Sequence, residues 1–125
     1  MKYPNLPYSR NQSGGPQFIG ENAKVVNSYI TDGCEIYGTV KNSVLGAGVK
    51  VMPGAYVKDC VLMGDTVIES GASVNYSIID TGVTVGAGAV IGEARDTAKG
   101  IAVLGEDITV PAGYTIAAGE IISEL

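Results

Sequence analysis

Residues 79–92 read IDTGVTVGAGAVIG, and this stretch carries the main structural signal of the chain. Its aliphatic residues recur every six positions, at Ile79, Val85 and Ile91, and a glycine follows each of the first two after three positions. Repetition at a short fixed period is typical of solenoids, in which each repeat forms one turn stacked on the next. The stretch therefore predicts a β-helix built from hexapeptide turns.

The same period extends towards the N-terminus. From Leu45 onward the steps between aliphatic residues run 6, 6 and 5 and then repeat, so that three steps make one coil. Stacked at the strand spacing of about 4.8 Å, the coils align three aliphatic columns around a triangular core. These columns are Ile30/Leu45/Leu62/Ile79, Ile36/Val51/Ile68/Val85 and Val40/Val57/Val74/Ile91. The sequence thus predicts an all-β fold, a single-stranded parallel β-helix shaped as a triangular prism.

Small residues mark the corners of the predicted prism. A second inward position, four residues after each aliphatic residue, holds Cys34, Val49, Ala55, Thr66, Ala72, Val83 and Ala89. Most of these follow a glycine, where the bend between strands favours a positive φ. The five-residue steps carry Ser28, Ser43, Cys60 and Ser77 instead, which predicts a ladder of small side chains bonded to neighbouring backbone. A structural corner is favoured over a catalytic serine, because no histidine is available to activate it.

The period is interrupted twice, and the interruptions suggest the domain boundaries. Residues 1–18 contain three prolines and no period, which predicts an extended linker or arm. Residues 92–100, GEARDTAKG, are polar and aperiodic, and the period resumes at Leu104. We therefore expect a β-helix domain over 19–125 with an extruded loop at 92–100. The stretch 119–125 is expected to cap the last coil, because an open coil exposes strand edges.

Composition excludes several classes of partner. The chain has 125 residues and a formal net charge of -5, without a run of Lys or Arg. Neither nucleic acid nor an anionic membrane is therefore an expected partner. The N-terminal residues lack the apolar segment of a signal peptide, which favours a cytoplasmic location.

The chain also lacks the residues that catalysis in similar folds requires. Many hexapeptide β-helices are acyltransferases that use a histidine as general base, and related carbonic anhydrases bind zinc through histidines. This sequence contains no histidine. Cys34 and Cys60 are expected to be reduced, buried thiols, because two cysteines with this spacing form no metal or disulfide framework. We therefore predict no catalytic residue, no metal site and no cofactor for this chain.

Residues 28–45, SYITDGCEIYGTVKNSVL, resemble the C-terminal β-helix domain of bacterial ADP-glucose pyrophosphorylases, the glucose-1-phosphate adenylyltransferases. The specific feature is the shortened step of four residues between Ile36 and Val40, which generic hexapeptide proteins do not share. The likeness continues over about residues 8–122. The resemblance also implies that the β-helix is left-handed, which the period alone cannot establish, because parallel crossovers in most folds are right-handed.

The resemblance implies a role in an enzyme that makes ADP-glucose and pyrophosphate from ATP and glucose 1-phosphate for glycogen synthesis. In that family the catalytic nucleotidyltransferase domain lies N-terminal to the β-helix. The present chain would then be a non-catalytic regulatory and oligomerisation domain. Its expected partners are that N-terminal domain, further copies in a homo-oligomer and a phosphorylated metabolite acting as effector. A divergent acyltransferase and a free-standing β-helix scaffold are the alternatives.

Candidate effector contacts follow from the same resemblance, because the corresponding loop of the family is basic. Arg95 and Lys99 are the leading candidates, since two cations can bracket a phosphate. Arg10, in the linker-like segment, is a third. The alternative is that Arg95 and Lys99 are solvated loop charges.

A partner surface is suggested by outward apolar residues. Tyr37 and Met52 are expected to stack on one face of the prism, with Tyr56 at its corner. Aromatic residues and methionine are enriched in protein interfaces. Isolated apolar residues are also common on free surfaces, so an ordinary exposed face is the alternative.

Overall fold

The computed structural model describes residues 17–125, which form a parallel β-helix without any α-helix in that range. Each strand is only two or three residues long, because the chain must turn a corner after every step of the repeat. In chain order the strands are β1 (Phe18–Ile19), β2 (Lys24–Val26), β3 (Tyr29–Ile30), β4 (Glu35–Ile36), β5 (Thr39–Lys41), β6 (Val44–Leu45), β7 (Lys50–Val51), β8 (Tyr56–Lys58), β9 (Val61–Leu62), β10 (Val67–Ile68), β11 (Ser73–Asn75), β12 (Ser77–Ile79), β13 (Thr84–Val85), β14 (Val90–Ile91), β15 (Ala102–Leu104), β16 (Thr109–Val110), β17 (Thr115–Ile116) and β18 (Ile121–Ile122).

Every third strand belongs to the same sheet, so the described residues make three six-stranded parallel sheets. Sheet A contains β1, β4, β7, β10, β13 and β16; sheet B contains β2, β5, β8, β11, β14 and β17; sheet C contains β3, β6, β9, β12, β15 and β18. The strand pairing aligns the aliphatic columns in the predicted register, for example Ile36 with Val51 and Leu45 with Leu62. The all-β parallel β-helix predicted from the hexapeptide period is confirmed.

The core is the inside of the prism. Its aliphatic columns are fully buried through the central coils, and the seven smaller residues predicted at the second inward position are all buried. Burial of each aliphatic side chain contributes about 1.5–3 kcal/mol, so the columns supply most of the stabilisation. Within residues 17–125 burial of the core is least complete in the first coil, where Ile19 keeps 44% of its surface exposed and Val25 and Ile30 are half-buried.

Residues with positive φ turn the corners, as predicted for the glycines. Gly48 and Gly82 have φ values of 76° and 74°. Asp65 (φ 60°) and Asp107 (φ 57°) occupy equivalent corners, which the sequence reasoning did not anticipate. Each aspartate lies over the glycine of the preceding coil, and a Cβ added to Gly48 would be 2.6 Å from Asp65 Oδ1. This corner column reads Gly33, Gly48, Asp65, Gly82 and Asp107, so each aspartate stacks on a glycine.

The serine ladder at the corner between sheets B and C is confirmed. The Ser28 Oγ accepts a hydrogen bond from the Ser43 N–H (3.0 Å), and the Ser43 Oγ accepts one from the Cys60 N–H (3.1 Å). Ser43 also donates to the Lys41 carbonyl (2.8 Å). The side chains thereby satisfy backbone groups that no strand pairing reaches.

The shortened step lies between β4 and β5, where Gly38 packs against the turn of the next coil. A Cβ on Gly38 would lie 2.5 Å from the Ala55 carbonyl oxygen and 2.8 Å from that of Met52. Because the obstructing atoms belong to backbone, no side-chain rotation could relieve the contact. The four-residue step therefore requires glycine at this position.

Residues 92–101 form no strand and connect sheet B to sheet C through a turn. The Ala94 carbonyl accepts hydrogen bonds from the N–H groups of Thr97 (3.0 Å) and Ala98 (2.9 Å). The expectation of a cap at 119–125 is wrong, because β18 pairs with β15 and extends sheet C by one strand. The period of the aliphatic residues explains this, since Ile122 continues the column that contains Leu104.

Candidate functional surfaces

The cations of the described residues concentrate on sheet B. Lys24 and Lys41 lie on outward positions of neighbouring strands β2 and β5, and Lys41 pairs in register with Lys58 on β8. The Lys41 Nζ is 5.7 Å from the centroid of the Tyr56 ring, within range of a cation–π contact. The outward residues of β2, β5 and β8 include three lysines and no carboxylate, so this part of the face is positively charged.

Sheet A carries a different pattern. Lys50 pairs with Glu35 on the adjacent strand, with Nζ and Oε2 3.8 Å apart. Both side chains are exposed, at 47% and 40%. An exposed pair of this kind contributes little to stability, and it leaves the face close to electrically neutral.

The proposed effector cations lie on the segment that follows sheet B. Arg95 and Lys99 are both exposed on the turn between β14 and β15, and neither forms an ion pair with a carboxylate of residues 17–125. The segment leaves the prism at Gly92, next to Asn75, and Asn75 pairs with Lys58. The structure thus places both cations on one exposed segment two coils beyond Lys58. Arg10 lies outside the described residues.

The predicted interface residues lie at the corner between sheets A and B. Tyr37 and Met52 follow the paired strands β4 and β7, and Tyr56 begins the outward face of β8; all three are half-buried. The Tyr37 hydroxyl donates to Glu35 Oε1 (2.9 Å), and its ring lies 5.6 Å from that of Phe18. The Glu35 hydrogen bond raises the pKa of Tyr37. Part of the Tyr37 surface is therefore already used within the chain.

The two thiols are buried and free, as expected. Burial raises the pKa of Cys60 to about 12, and burial also raises the pKa of Cys34. Both side chains are therefore uncharged thiols at neutral pH, and neither is a nucleophile accessible to a substrate. Within residues 17–125 no three histidine, cysteine or acidic side chains are grouped to hold a metal ion. The same range holds no helix of the length and hydropathy needed to span a membrane.

One surface escaped the sequence reasoning. In every strand of sheet C the outward residue directly before the aliphatic core residue is apolar, which gives a continuous column of six side chains that we call the apolar strip. Its members are Tyr29, Val44, Val61, Ile78, Val103 and Ile121. The signal was present in the sequence as an apolar residue directly before each aliphatic residue of one column.

Comparison with known proteins places this architecture in a family. The profile of the family described as GlmU-like, C-terminal hexapeptide matches residues 17–111. A glucose-1-phosphate adenylyltransferase of Desulfitobacterium hafniense is 33% identical over 116 residues, which is 90% of this chain and 29% of that protein. One from Frankia casuarinae is 41% identical over 118 residues, covering 91% of this chain and 28% of the relative.

A third relative is matched over a smaller share of this chain. A third glucose-1-phosphate adenylyltransferase, from Bacillus cytotoxicus, is 40% identical over 90 residues, 72% of this chain and 24% of the relative. The chain thus spans less than one third of the length of the curated relatives it matches. The resemblance to glucose-1-phosphate adenylyltransferases that the shortened step indicated is confirmed. With its family profile matched from β1 into the sixth coil, the chain belongs to the GlmU-like C-terminal hexapeptide family.

Proposed function

We propose that the chain is the non-catalytic regulatory and assembly module of a glucose-1-phosphate adenylyltransferase in ADP-glucose and glycogen synthesis. The observation that carries the proposal is the coverage: 90% of this chain matches 29% of an enzyme of that name. The shortened step between Ile36 and Val40 supports the proposal, because the resemblance to these enzymes rests on this step. The backbone contacts around Gly38 show that the step requires glycine. In this proposal ATP and glucose 1-phosphate react on an N-terminal nucleotidyltransferase domain.

The contribution of this chain would be contact and binding. The free thiols of Cys34 and Cys60 suit a reducing compartment, which supports a cytoplasmic enzyme. Tyr37, Met52 and Tyr56 stay candidates for contact with the catalytic domain. Their corner combines aromatic, thioether and cationic groups, a composition that interfaces favour.

A phosphorylated metabolite is the proposed effector, bound at the exposed turn between β14 and β15. Arg95 can donate two parallel hydrogen bonds to phosphate oxygens, and Lys99 can add a compact charge. The positive face that contains Lys41 and Lys58 would raise the local concentration of an anion. Arg10 is a third candidate contact.

A chimera tests the proposal. Residues 17–125 would replace the matching region of the Desulfitobacterium hafniense enzyme, with the enzyme truncated before that region as the comparison. The chimera is expected to form ADP-glucose, to keep the oligomeric state of the parent and to respond to phosphorylated metabolites. The truncated enzyme is expected to lose the assembly and the response. A truncated enzyme that keeps both would refute the proposed role.

Paired substitutions in the chimera test the effector site. Arg95→Ala together with Lys99→Ala should raise the effector concentration for half-activation about tenfold or more, since a charge-assisted hydrogen bond contributes about 1.5–3 kcal/mol. Lys50→Ala is the matched control, because Lys50 lies on sheet A in a pair with Glu35. An unchanged response in the double variant, or an equal loss in the control, would remove this turn as the effector site.

A further inference from the structure

The apolar strip runs along the whole described length of sheet C. Its side chains are exposed most strongly at the two ends, with 67% for Tyr29 and 77% for Ile121. Towards the middle the exposed fraction is 45% for Val44 and 38% for Val61, and Ile78 and Val103 are half-buried. Six apolar side chains in an unbroken column leave a continuous hydrophobic surface in water.

The face of sheet C itself carries almost no charge, and its nearest carboxylates lie at its edges, at Asp32, Asp59, Glu106, Glu120 and Glu124. The second outward position of each coil on this face holds Thr31, Gly46, Met63, Asp80, Gly105 and Ser123. Of these twelve outward residues only Asp80 is charged, and its Oδ1 accepts a hydrogen bond from the Thr81 N–H (2.7 Å). Sheet B presents lysines and sheet A an ion pair. An apolar, nearly uncharged face on an otherwise charged protein is typical of an interaction surface.

We propose that the apolar strip pairs with the same strip of a second copy of this chain, antiparallel about a two-fold axis. The most exposed members, Tyr29 and Ile121, lie at opposite ends of the column. An antiparallel arrangement places each against the other, so the two largest exposed apolar surfaces cover one another. A two-fold axis near the middle of the strip makes the interface isologous, with the same patch used by both copies.

Electrostatics favour self-pairing through sheet C. The chain carries a net charge of -5, so the repulsion between two copies is least when they meet through a surface without charges. Pairing through sheet B would instead bring lysines such as Lys41 and Lys58 towards those of the partner, at the cost of like-charge repulsion. The strip itself brings almost no charge against charge, and the carboxylates at its edges meet only at the solvated rim.

The size of the strip sets the expected strength. Six strands at about 4.8 Å give a strip about 24 Å long. With its bordering residues, two such faces would bury on the order of 1,000 Å² in total, at the lower limit for a specific interface. The dimer is therefore expected to be reversible, with a dissociation constant in the micromolar range.

The inference deepens the assembly role in the proposed function, and its test needs only this chain. Sedimentation velocity from about 1 to 300 μM should show a monomer–dimer equilibrium. Val61→Lys should weaken the dimer at least tenfold, because a desolvated ammonium would lie at the centre of the interface. Val90→Lys is the matched control: Val90 is an outward valine with 41% exposure on sheet B, and its substitution should leave the equilibrium unchanged.

Folding of each variant would be checked by circular dichroism and urea unfolding. Val44→Lys, at another outward position of the strip, replaces Val61→Lys if the latter fails to fold. A chain that is monomeric at every concentration would overturn the pairing. A dimer that survives both strip substitutions, or one that Val90→Lys weakens equally, would also overturn it.

Disulfide trapping tests the antiparallel orientation. Tyr29→Cys and Ile121→Cys variants, mixed under mild oxidation, should cross-link to each other in preference to themselves. The native thiols will not interfere, because Cys34 and Cys60 are buried. Cross-links of each variant only to itself would refute the orientation. A monomeric chain that still restores the effector response in the chimera would refute the pairing and leave the proposed function intact.

Discussion

Individual glycines at the corners have two distinct physical roles. Gly88 has a φ of 71° and nothing within 4 Å of an added Cβ, so only its backbone conformation opposes a side chain. Gly38 is not among the residues with positive φ, and there the backbone oxygens of Met52 and Ala55 occupy the space of a Cβ. The two positions therefore separate conformational strain from steric exclusion.

This separation predicts different costs for the same substitution. Gly88→Ala should lower the free energy of unfolding by about 1 kcal/mol, the cost of placing an L-residue in the left-handed region. Gly38→Ala should lower it by about 3 kcal/mol, because an overpacked site forces the backbone of the next coil to move. Equilibrium urea unfolding of the two variants measures both values. Equal losses would show that the close packing of the shortened turn does not determine its glycine.

Among the coils of the β-helix, one is interrupted and the others repeat regularly. The coil from Val85 to Val110 is longer than the regular coils because its step from Ile91 to Leu104 takes 13 positions instead of 5. In the regular coil before it, Tyr76 turns this corner with a φ of 47°. Ile101 stands at the corresponding place in the long coil, directly before β15.

Deletion of residues 93–100 should therefore restore a regular coil. The fold is expected to persist if Ile101→Asn is introduced together with the deletion, because asparagine already occupies this corner with positive φ at Asn27 and Asn42. With Ile101 retained, the variant should be less stable by about 1–2 kcal/mol, since a β-branched residue is strained there. Thermal unfolding of both deletion variants measures the difference. Identical melting temperatures would contradict this assignment of the corner.

The sequence was most informative where the period acts directly on the core. The columns through Leu45, Val51 and Val57 follow from the 6, 6, 5 steps, because a shifted register would turn aliphatic residues into solvent. The outward faces have no such constraint. The sequence therefore pointed to scattered interface residues such as Tyr37 and not to the apolar strip. The turn proposed to bind an effector could be located only as an interruption of the period, because aperiodic residues contain no register from which to place side chains.

The complete β-helix should unfold unevenly along its axis. Coils in a solenoid contact only their neighbours, so a coil at one end has half the support of a central coil. The first described coil also has the less buried core, because Ile19 remains 44% exposed whereas Val110 and Ile116 in the last coil are at 0% and 1%. Stability should therefore be lowest at the N-terminal end of the described residues.

Hydrogen exchange followed by mass spectrometry measures this gradient. Amides of β1–β3 are expected to exchange at least tenfold faster than those of β7–β12, because local opening of the first coil exposes little additional apolar surface. Peptides from β16 and β17 should show intermediate protection. Protection of β1–β3 equal to that of the central strands would contradict the expected gradient.

The stacking of each aspartate on a glycine at one corner also bears on how such a protein can gain or lose coils. Asp65 lies over Gly48, and Asp107 lies over Gly82. Removal of the single coil 66–82 would stack Asp107 directly on Asp65, with two carboxylates about 4.8 Å apart and no small residue to receive either one. A coil should therefore be removable where a glycine stays beneath each aspartate, as between Gly33 and Gly48, and not where two aspartates would meet, which restricts the coils that gene rearrangement or design can delete.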